Sequence, residues 1–424
     1  MKISKRIVPI LLLLSTLLLL FCACGRQVIQ EEENPPADPL LWDGTVATAF
    51  AGGSGTSEDP YLITNAEEFA YFAHRVNYVK GYQDKVYSLM CDVDLNHIDW
   101  IPVGNRTLPF SGSFLGNGHT VSNLTVTKGV SFDKPYIFGS ARRYAMGLFG
   151  NCGNAVIRDL HVDGARIAVN TIPQWHDAAV GIIAGSINAD ATAEISGIKI
   201  SNSDILTEFE LHEWSVSGGA LNIGGVCGEI TTAGGSGYFT AQGIQTDVRV
   251  AYQADCQSIN TVGGIFGSII PANAVRITDC ACYATVNLII KSNNRYWNDV
   301  GAIGSAIRCD GDIEISNVFS KVTLCMDIGP ELKLSPLFRA NAVIGSMYFY
   351  NQGGATEYRL SNLFGYVEQT DANNPKARAE IRSVYESLNQ VSSENCIGGT
   401  SLPDGHGFDP AIWDLSDLSH PNVK

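Results

Sequence analysis

The chain is short of positive charge. Its 28 lysines and arginines stand against 43 aspartates and glutamates, for a formal charge of −15. Removing the first 23 residues takes Lys2, Lys5 and Arg6 with them and makes the balance more negative still. No basic stripe occurs anywhere, which argues against nucleic acid as a partner. An acidic surface is also repelled by anionic lipid, so membrane attachment must come from something other than charge. Charged residues of either sign make up only 17% of the chain, whereas glycines number 43. That balance suits many short strands joined by tight turns. After residue 41 no apolar run is long enough to cross a bilayer.

The usual catalytic signatures are missing too. His212-Glu213-Trp214 opens like a zinc-binding HExxH, but Val216 stands where the second histidine belongs. There is no phosphate-binding glycine loop and no GxSxG, and the 8 histidines are scattered without metal-ligand spacing. No cofactor is expected, no catalytic residue is assigned, and the sequence points away from an enzyme. Cys22 and Cys24 belong to the N-terminal segment. The remaining cysteines are Cys91, Cys152, Cys227, Cys256, Cys280, Cys282, Cys309, Cys325 and Cys396, with no Cys-x-x-Cys pair. Their odd number prevents full internal pairing. Several fall in apolar strand patterns, such as Gly224-Gly225-Val226-Cys227-Gly228, and read as small buried hydrophobes.

What is present begins at residue 1. Lys2, Lys5 and Arg6 precede an apolar run from Ile7 to Phe21, and then Phe21-Cys22-Ala23-Cys24-Gly25. A basic start, an apolar core and a small residue before the cut are the parts of a secretory signal. A cysteine directly after the small residue supplies the thiol that takes a lipid. Residues 1–23 therefore read as a lipoprotein signal peptide and Cys24 as the lipidated residue, although Phe21 and Cys22 replace the commoner Leu and Ser or Ala. Residues 24–41 hold Glu31-Glu32-Glu33 and Pro35-Pro36 and read as a tether that cannot pack a core. The expected location is extracytoplasmic, lipid-anchored to the cell membrane and exposed at the cell surface.

A short motif then returns. Gly147-Leu148-Phe149-Gly150 is followed by Ile182-Ile183-Ala184-Gly185, Gly225-Val226-Cys227-Gly228, Gly264-Ile265-Phe266-Gly267, Gly301-Ala302-Ile303-Gly304 and Ala342-Val343-Ile344-Gly345. The spacing is about 40 residues, the period of a stacked array. After each motif come alternating apolar positions, as in Ile157-Arg-Asp-Leu160-His-Val162, Ile195-Ser-Gly-Ile198-Lys-Ile200 and Ile277-Thr-Asp-Cys280-Ala-Cys282. A third short strand follows, as in Ile167-Ala-Val169 and Val286-Asn-Leu288. Three strands per repeat, each with period two, describe one coil of a parallel β-helix that buries one face and pairs with the coils on either side. The motif glycines suit corners with positive φ or with closely approaching backbones. Thr64-Asn65-Ala66-Glu67 has capping-box spacing, and Phe69, Ala70, Phe72, Ala73 and Val76 fall on one helical face, so a short helix is expected to cover the open first coil.

These residues resemble a known family. Gly55-Thr56, Asp59-Pro60-Tyr61-Leu62-Ile63, Asp92-Val93-Asp94-Leu95 and the run from Phe110 to Leu124 are similar to the opening module of many bacterial surface proteins, and the Gly-Leu-Phe-Gly copies resemble the GLUG motif. Trp413-Asp-Leu-Ser and His420-Pro421 resemble the closing strand of such domains. The resemblance covers about residues 42–424. It implies a right-handed parallel β-helix displayed at the cell surface, in an all-β, adhesin-like protein with only a capping helix. It implies no defined reaction. The expected division is 42–128 for the cap and first coils, 129–370 for the repeats and 371–424 for the last coil and closing segment.

Three connections carry a tryptophan. They are Trp175 beside His176 and Asp177, Trp214 after His212, and Trp297 between Tyr296 and Asp299. Equivalent loops of a stacked array emerge on one edge, and flat aromatic faces beside carboxylates are what a sugar site needs. Trp175, His176, Asp177, Trp214, Tyr296, Trp297 and Asp299 are thus the candidate ligand contacts, with packing of each tryptophan over its own coil as the competing reading. Asp310 and Asp312 are a weak calcium candidate against the simpler reading of a turn, and Asp92 and Asp94 read as a solvated strand face. The expected role is non-enzymatic adhesion or ligand binding by a monomer, with extracellular glycan preferred over a surface protein. A polysaccharide lyase or hydrolase on the same scaffold, or a bare spacer, are the alternatives.

Overall fold

Apart from one helix, the described residues between 61 and 398 of the computed structural model fall mostly in strands, laid side by side in parallel by a repeat that visits three sheets in turn. The structure describes residues 41–134, 141–169, 177–208, 221–232, 238–254, 260–271, 274–290, 298–309, 311–328, 338–341, 343–349, 358–372, 380–382, 385–387, 392–398, 401–404 and 406–424. Cys24, with the expected signal peptide and almost all of the expected tether, lies outside them. Among the described residues no helix is long and apolar enough to cross a membrane.

One repeat shows the plan. Asp177–Gly181 and Ala184–Ala189 are short strands, and Thr192–Glu208 is a long one. The next repeat supplies Leu221–Gly224, Cys227–Thr232 and Tyr238–Ala254 in the same order. Each strand pairs in parallel with its equivalent one repeat away, as Val180 does with Ile223, Ile187 with Ile230 and Ile198 with Ile244. The first short strands build an eight-stranded sheet, the second a seven-stranded sheet, and the long strands the spine of a fourteen-stranded sheet. The eight-stranded sheet ends in an antiparallel partner, Val130–Lys134 against Ala141–Met146.

Parallel register turns the sequence period into rows. Ile157, Ile195, Ala241, Ile277, Ile315 and Leu360 lie side by side, as do Leu160, Ile198, Ile244, Cys280, Val318 and Leu363. All of them are buried. Removing an aliphatic side chain of this kind from water contributes about 1.5–3 kcal/mol, so the stacked rows supply the driving force that isolated strands lack.

The predicted second and third strands of each repeat are one strand from Thr192 onward. The long strand bends instead of breaking. Asp159, Gly197, Gly243, Asp279, Asn317 and Asn362 occupy one row and have φ between 52° and 65°. Only glycine, or a short side chain that bonds locally, tolerates that backbone at low cost. The side chains tie neighbouring bends together: Asn317 Nδ2 donates to Asp279 Oδ1 at 3.0 Å, and Asn362 Nδ2 to Asn317 Oδ1 at 2.9 Å.

The repeated glycine motif forms the corner between the two short strands. Gly264 and Ile265 turn the chain, while Ile265 N–H still donates to Ala302 O at 2.7 Å. Of the two reasons expected for the glycines, close approach is the operative one. A Cβ on Gly228 would lie 2.2 Å from the Val180 nitrogen, and one on Gly267 2.4 Å from Gly228 O, with neither φ positive.

The predicted N-terminal helix, α1, spans Ala66–Tyr78. Its cap is shifted by one residue from the expected box. Asn65 accepts from Glu68 N–H, and the Glu68 carboxylate reaches back to the amide and hydroxyl of Thr64 at 2.7 and 3.0 Å. Glu68 is the buried one of the two glutamates, so it and not Glu67 faces the cap. Phe69 and Phe72 meet Trp100, Tyr87, Phe110, Phe114 and Phe149 with ring centroids 4.4–6.1 Å apart, an aromatic plug over the first strands.

Candidate functional site

One outward row of the long sheet changes character along its length. It reads Thr120, His161, Lys199, Gln245, Ala281, Phe319 and Phe364. Alternation puts these side chains opposite the aliphatic rows, so they face away from the main core. The apolar end is covered. Ala281, Tyr283, Phe319 and Phe364 form a second buried cluster with Leu402, Phe408 and Trp413 of the C-terminal segment. The segment is pinned by Tyr283, whose hydroxyl donates to Pro421 O at 2.6 Å and whose ring stacks on His420 with centroids 3.8 Å apart. Gln245 Nε2 donates to Asn422 Oδ1 at 2.7 Å at its margin. Beyond that margin Lys199 is exposed, and His161 and Thr120 are half-buried.

This uncovered end is a connected polar surface. Ser201 donates its hydroxyl proton to Asp163 Oδ1, which also accepts from Asn202 Nδ2 at 2.8 Å. Because that proton is committed to the carboxylate, His161 Nε2, 2.8 Å from Ser201 Oγ, is the donor of that pair. His161 Nδ1 is then left to accept from the Thr120 hydroxyl at 3.3 Å. Nearby, Asp92 accepts from Thr120 N–H at 2.9 Å and lies 3.1 Å from His119 Nδ1. Burial pushes the His161 imidazole below its ordinary range, and Lys199 pushes the same way, against Asp163 and Asp92. The Ser201 hydroxyl holds Asp163 below the usual carboxylate range, and the Thr120 amide does the same for Asp92.

A histidine, a serine and an aspartate in contact invite comparison with a nucleophile and its base. The order is wrong for that chemistry. A triad carboxylate orients the imidazole and leaves the serine proton to the base, whereas here the carboxylate holds the serine. What the surface offers is a bed of donors and acceptors beside the exposed Lys199 ammonium, suited to hydroxyl-rich or charged ligands.

The sequence candidates fall differently. Trp175, His176, Trp214, Tyr296, Trp297 and Asp310 lie outside the described residues. Asp177 begins a short strand, opposite Arg143 in register. Asp299 is buried in the strand Asn298–Gly301, in one row with Thr261, Asn222 and Ala179. Asp177 and Asp299 are therefore two positions apart in register, and the shared Trp-x-Asp spacing does not make them equivalent. Trp175 precedes its strand-ending Gly181 by more residues than Trp297 precedes Gly301, and the register follows the glycines. Asp312 is exposed beside Ala274 at the start of a long strand. Among the described residues no group of three or more His, Cys, Asp or Glu side chains could hold a metal ion.

Asp92, exposed, and Asp94, half-buried, flank the buried Val93 and so lie on its outward side, as the alternation predicts. Asp94 accepts twice from Asn123 Nδ2, at 2.9 and 3.0 Å, and so fixes the left-handed turn there, while Asp99 accepts from the amide and hydroxyl of Thr127 at 2.8 Å each. The residues that sequence reasoning missed, His161 and Lys199, carried a signal. Each stands between apolar positions, in Leu160-His161-Val162 and Ile198-Lys199-Ile200, which marks it as outward-facing and register-matched.

Comparison with known proteins gives a fold and two partial relatives. The chain resembles a solved structure from Bacteroides ovatus, provisionally named an immunoglobulin A1 protease, with a TM-score of 0.51 and 16% identity over 88% of this chain and 95% of that one. Likeness at that identity concerns the fold alone. A protein of Evansella cellulosilytica, provisionally named a Gly-rich membrane protein, is 33% identical over 148 residues, 33% of this chain. Halomucin of Haloquadratum walsbyi is 29% identical over 203 residues, 45% of this chain. The matches span only 15% and 2% of the length of these two curated relatives. No family model matches the chain.

Proposed function

We propose that the protein is a lipid-anchored surface protein, a right-handed parallel β-helix that binds extracellular glycan without catalysis. The observation that carries the reading is the divided outer face of the long sheet. Its apolar rows are covered by the chain's own C-terminal segment, and its polar rows, Thr120, His161, Lys199, Asp163 and Ser201, are left to solvent. Rows of hydrogen-bonding groups at strand spacing suit a polymer of hydroxylated rings, which meets a polar group at each rung. Strand equivalents pairing one repeat apart in three sheets support the β-helix. The names of the two relatives, a membrane protein and a mucin, support a membrane or surface location, and Cys24 supplies the anchor.

A glycan array probed with the full chain in detergent tests the binding, beside a His161→Gln/Lys199→Ala variant and a Trp175→Ala/Trp297→Ala variant. Saturable binding that falls in the first variant supports the long-sheet face; a fall in the second alone moves the site to the loops. No binding to any sugar by a folded chain overturns the glycan reading. For the anchor, Cys24→Ser is expected to move the protein from the detergent phase to the aqueous phase.

A further inference from the structure

The buried stripe of α1 explains half of that helix. Its other face carries Tyr71, His74, Arg75 and Tyr78, at spacings of three, four and seven, so they form one outward stripe. Tyr78 is 61% exposed, unusual for a large aromatic side chain in this protein. Its ring meets His74 at 5.1 Å. Beside Arg75 three rings stack in order. Phe50 and Tyr61 have centroids 4.5 Å apart at 23°, and Tyr61 and Tyr82 are 5.8 Å apart at 20°. The Arg75 guanidinium continues the stack, 4.5 Å from the Tyr82 centroid and 5.3 Å from that of Tyr71.

Arg75 is held but not neutralised. Its Nη2 donates to the Tyr82 hydroxyl at 2.9 Å, and its Nε is buried without a hydrogen-bond partner. Several outward arginines have carboxylates: Arg158 meets Glu194, Arg249 meets Asp204, and Arg276 and Arg359 share Glu314. Among the described residues Arg75 has none, in a chain whose acidic groups outnumber its basic ones. A guanidinium fixed by two tyrosine rings keeps its fork in one place, ready for a planar carboxylate.

We infer that the outward face of α1 is a second binding site, for a sugar that carries a carboxylate. Arg75 pairs with the acid group, and the exposed Tyr78 ring gives the CH face of the same or the next sugar ring a platform. An acidic peptide offers the charge without a flat apolar face, so a uronic-acid glycan is the better match to an arginine set among tyrosines. The site shares no residue with the long-sheet face and does not depend on it.

The test is calorimetric titration of the full chain in detergent with an α-1,4-linked oligogalacturonate, its methyl ester and a glutamate-rich peptide of equal charge. Binding of the acid form, at least about tenfold weaker for the ester, is expected, because esterification removes the charge and keeps the rings. Arg75→Gln and Tyr78→Ala should each weaken it by roughly tenfold, the second at an exposed position where folding is not at stake. Lys199→Ala should leave it unchanged. The inference is overturned if the oligogalacturonate fails to bind, if the ester or the peptide binds as well, or if neither helix variant changes the affinity. Loss in Lys199→Ala but not in Tyr78→Ala would also overturn it, while sparing the long-sheet face as a glycan site.

Discussion

The indole Nε1–H of Trp413 donates to Asp279 Oδ1 at 3.4 Å, across 134 residues of sequence. Asp279 is buried at a left-handed bend and also accepts from Gln242 and Asn317. One carboxylate thus joins three rungs of the long sheet to the segment that covers them.

Trp413→Ala removes a fully buried indole and one donor to that carboxylate. Its expected cost is about 3–5 kcal/mol of docking energy, concentrated on the C-terminal segment. Hydrogen exchange should show Leu402, Trp413 and Lys424 amides losing protection while Ile198 and Ile244 keep theirs. Dye binding should rise as Phe319 and Phe364 become accessible. Unchanged protection across residues 401–424 would sink this account.

At Asn317 the backbone and the side chain contribute separately. Asn317→Ala loses the bonds to Asp279 and from Asn362 and places an ordinary Cβ at φ 54°; Asn317→Gly loses only the bonds. Alanine should be the more destabilising by about 1 kcal/mol, since the left-handed penalty for an L-residue is of that order. Urea midpoints of the two variants decide the matter, and equal midpoints would remove strain from the explanation.

His161 gives a pH dependence of predictable sign. Burial, then Lys199, lowers its folded pKa below the ordinary value of about 6.5. Between the two values the unfolded chain binds more protons, so stability falls as pH drops below about 6.5 and levels off past the folded value. Above 6.5 both states are neutral and the group contributes nothing. An NMR titration should find the His161 midpoint below that of an unfolded chain, and His161→Gln should flatten the dependence in this window.

Four thiols should be inert. Cys152, Cys227, Cys280 and Cys282 are fully buried, and burial pushes Cys282 up to about 12 and the others higher still. Thiolate is the reactive form. At pH 8 a maleimide should leave these four unlabelled in the native chain, with Cys91 and Cys325, only partly buried, labelled ahead of them. Labelling of Cys280 at the rate of Cys91 would show that the sheet opens.

Much of this architecture was legible. The residues aligned by the repeat period, Ile157 with Ile195, Ile277, Ile315 and Leu360, are neighbours in register, because parallel pairing converts a sequence period into a spatial row. The repeat at Ala241 and Ile244 was less visible, since alanine stands where the others have isoleucine or leucine. That the second and third patterns run on as one strand was hidden, because the left-handed residue falls inside the second pattern, as Asp279 does between Ile277 and Cys282, while the stretch from Cys282 to Val286 keeps its pairing. The candidate site was harder to see. Tryptophan loops attract notice through composition, but His161 and Lys199 become a pair only when Leu160 and Ile198 fix the register. The stacking of Phe50, Tyr61, Tyr82 and Arg75 joins four separate stretches of chain, and no local pattern announces it.

The C-terminal segment also acts as a gauge of length. It touches Gln245 through Asn422, Asp279 through Trp413, and Phe364 through Phe408. These anchors lie on the strands Tyr238–Ala254, Ala274–Ile290 and Tyr358–Ala372, with Asp312–Ile328 between the last two. Each rung adds about 4.8 Å. Repeats before residue 238 could be gained or lost in whole units without disturbing this fit. One repeat more or fewer between Gln245 and Phe364 would pull the anchors out of step, so the C-terminal segment holds that stretch to its present number of rungs.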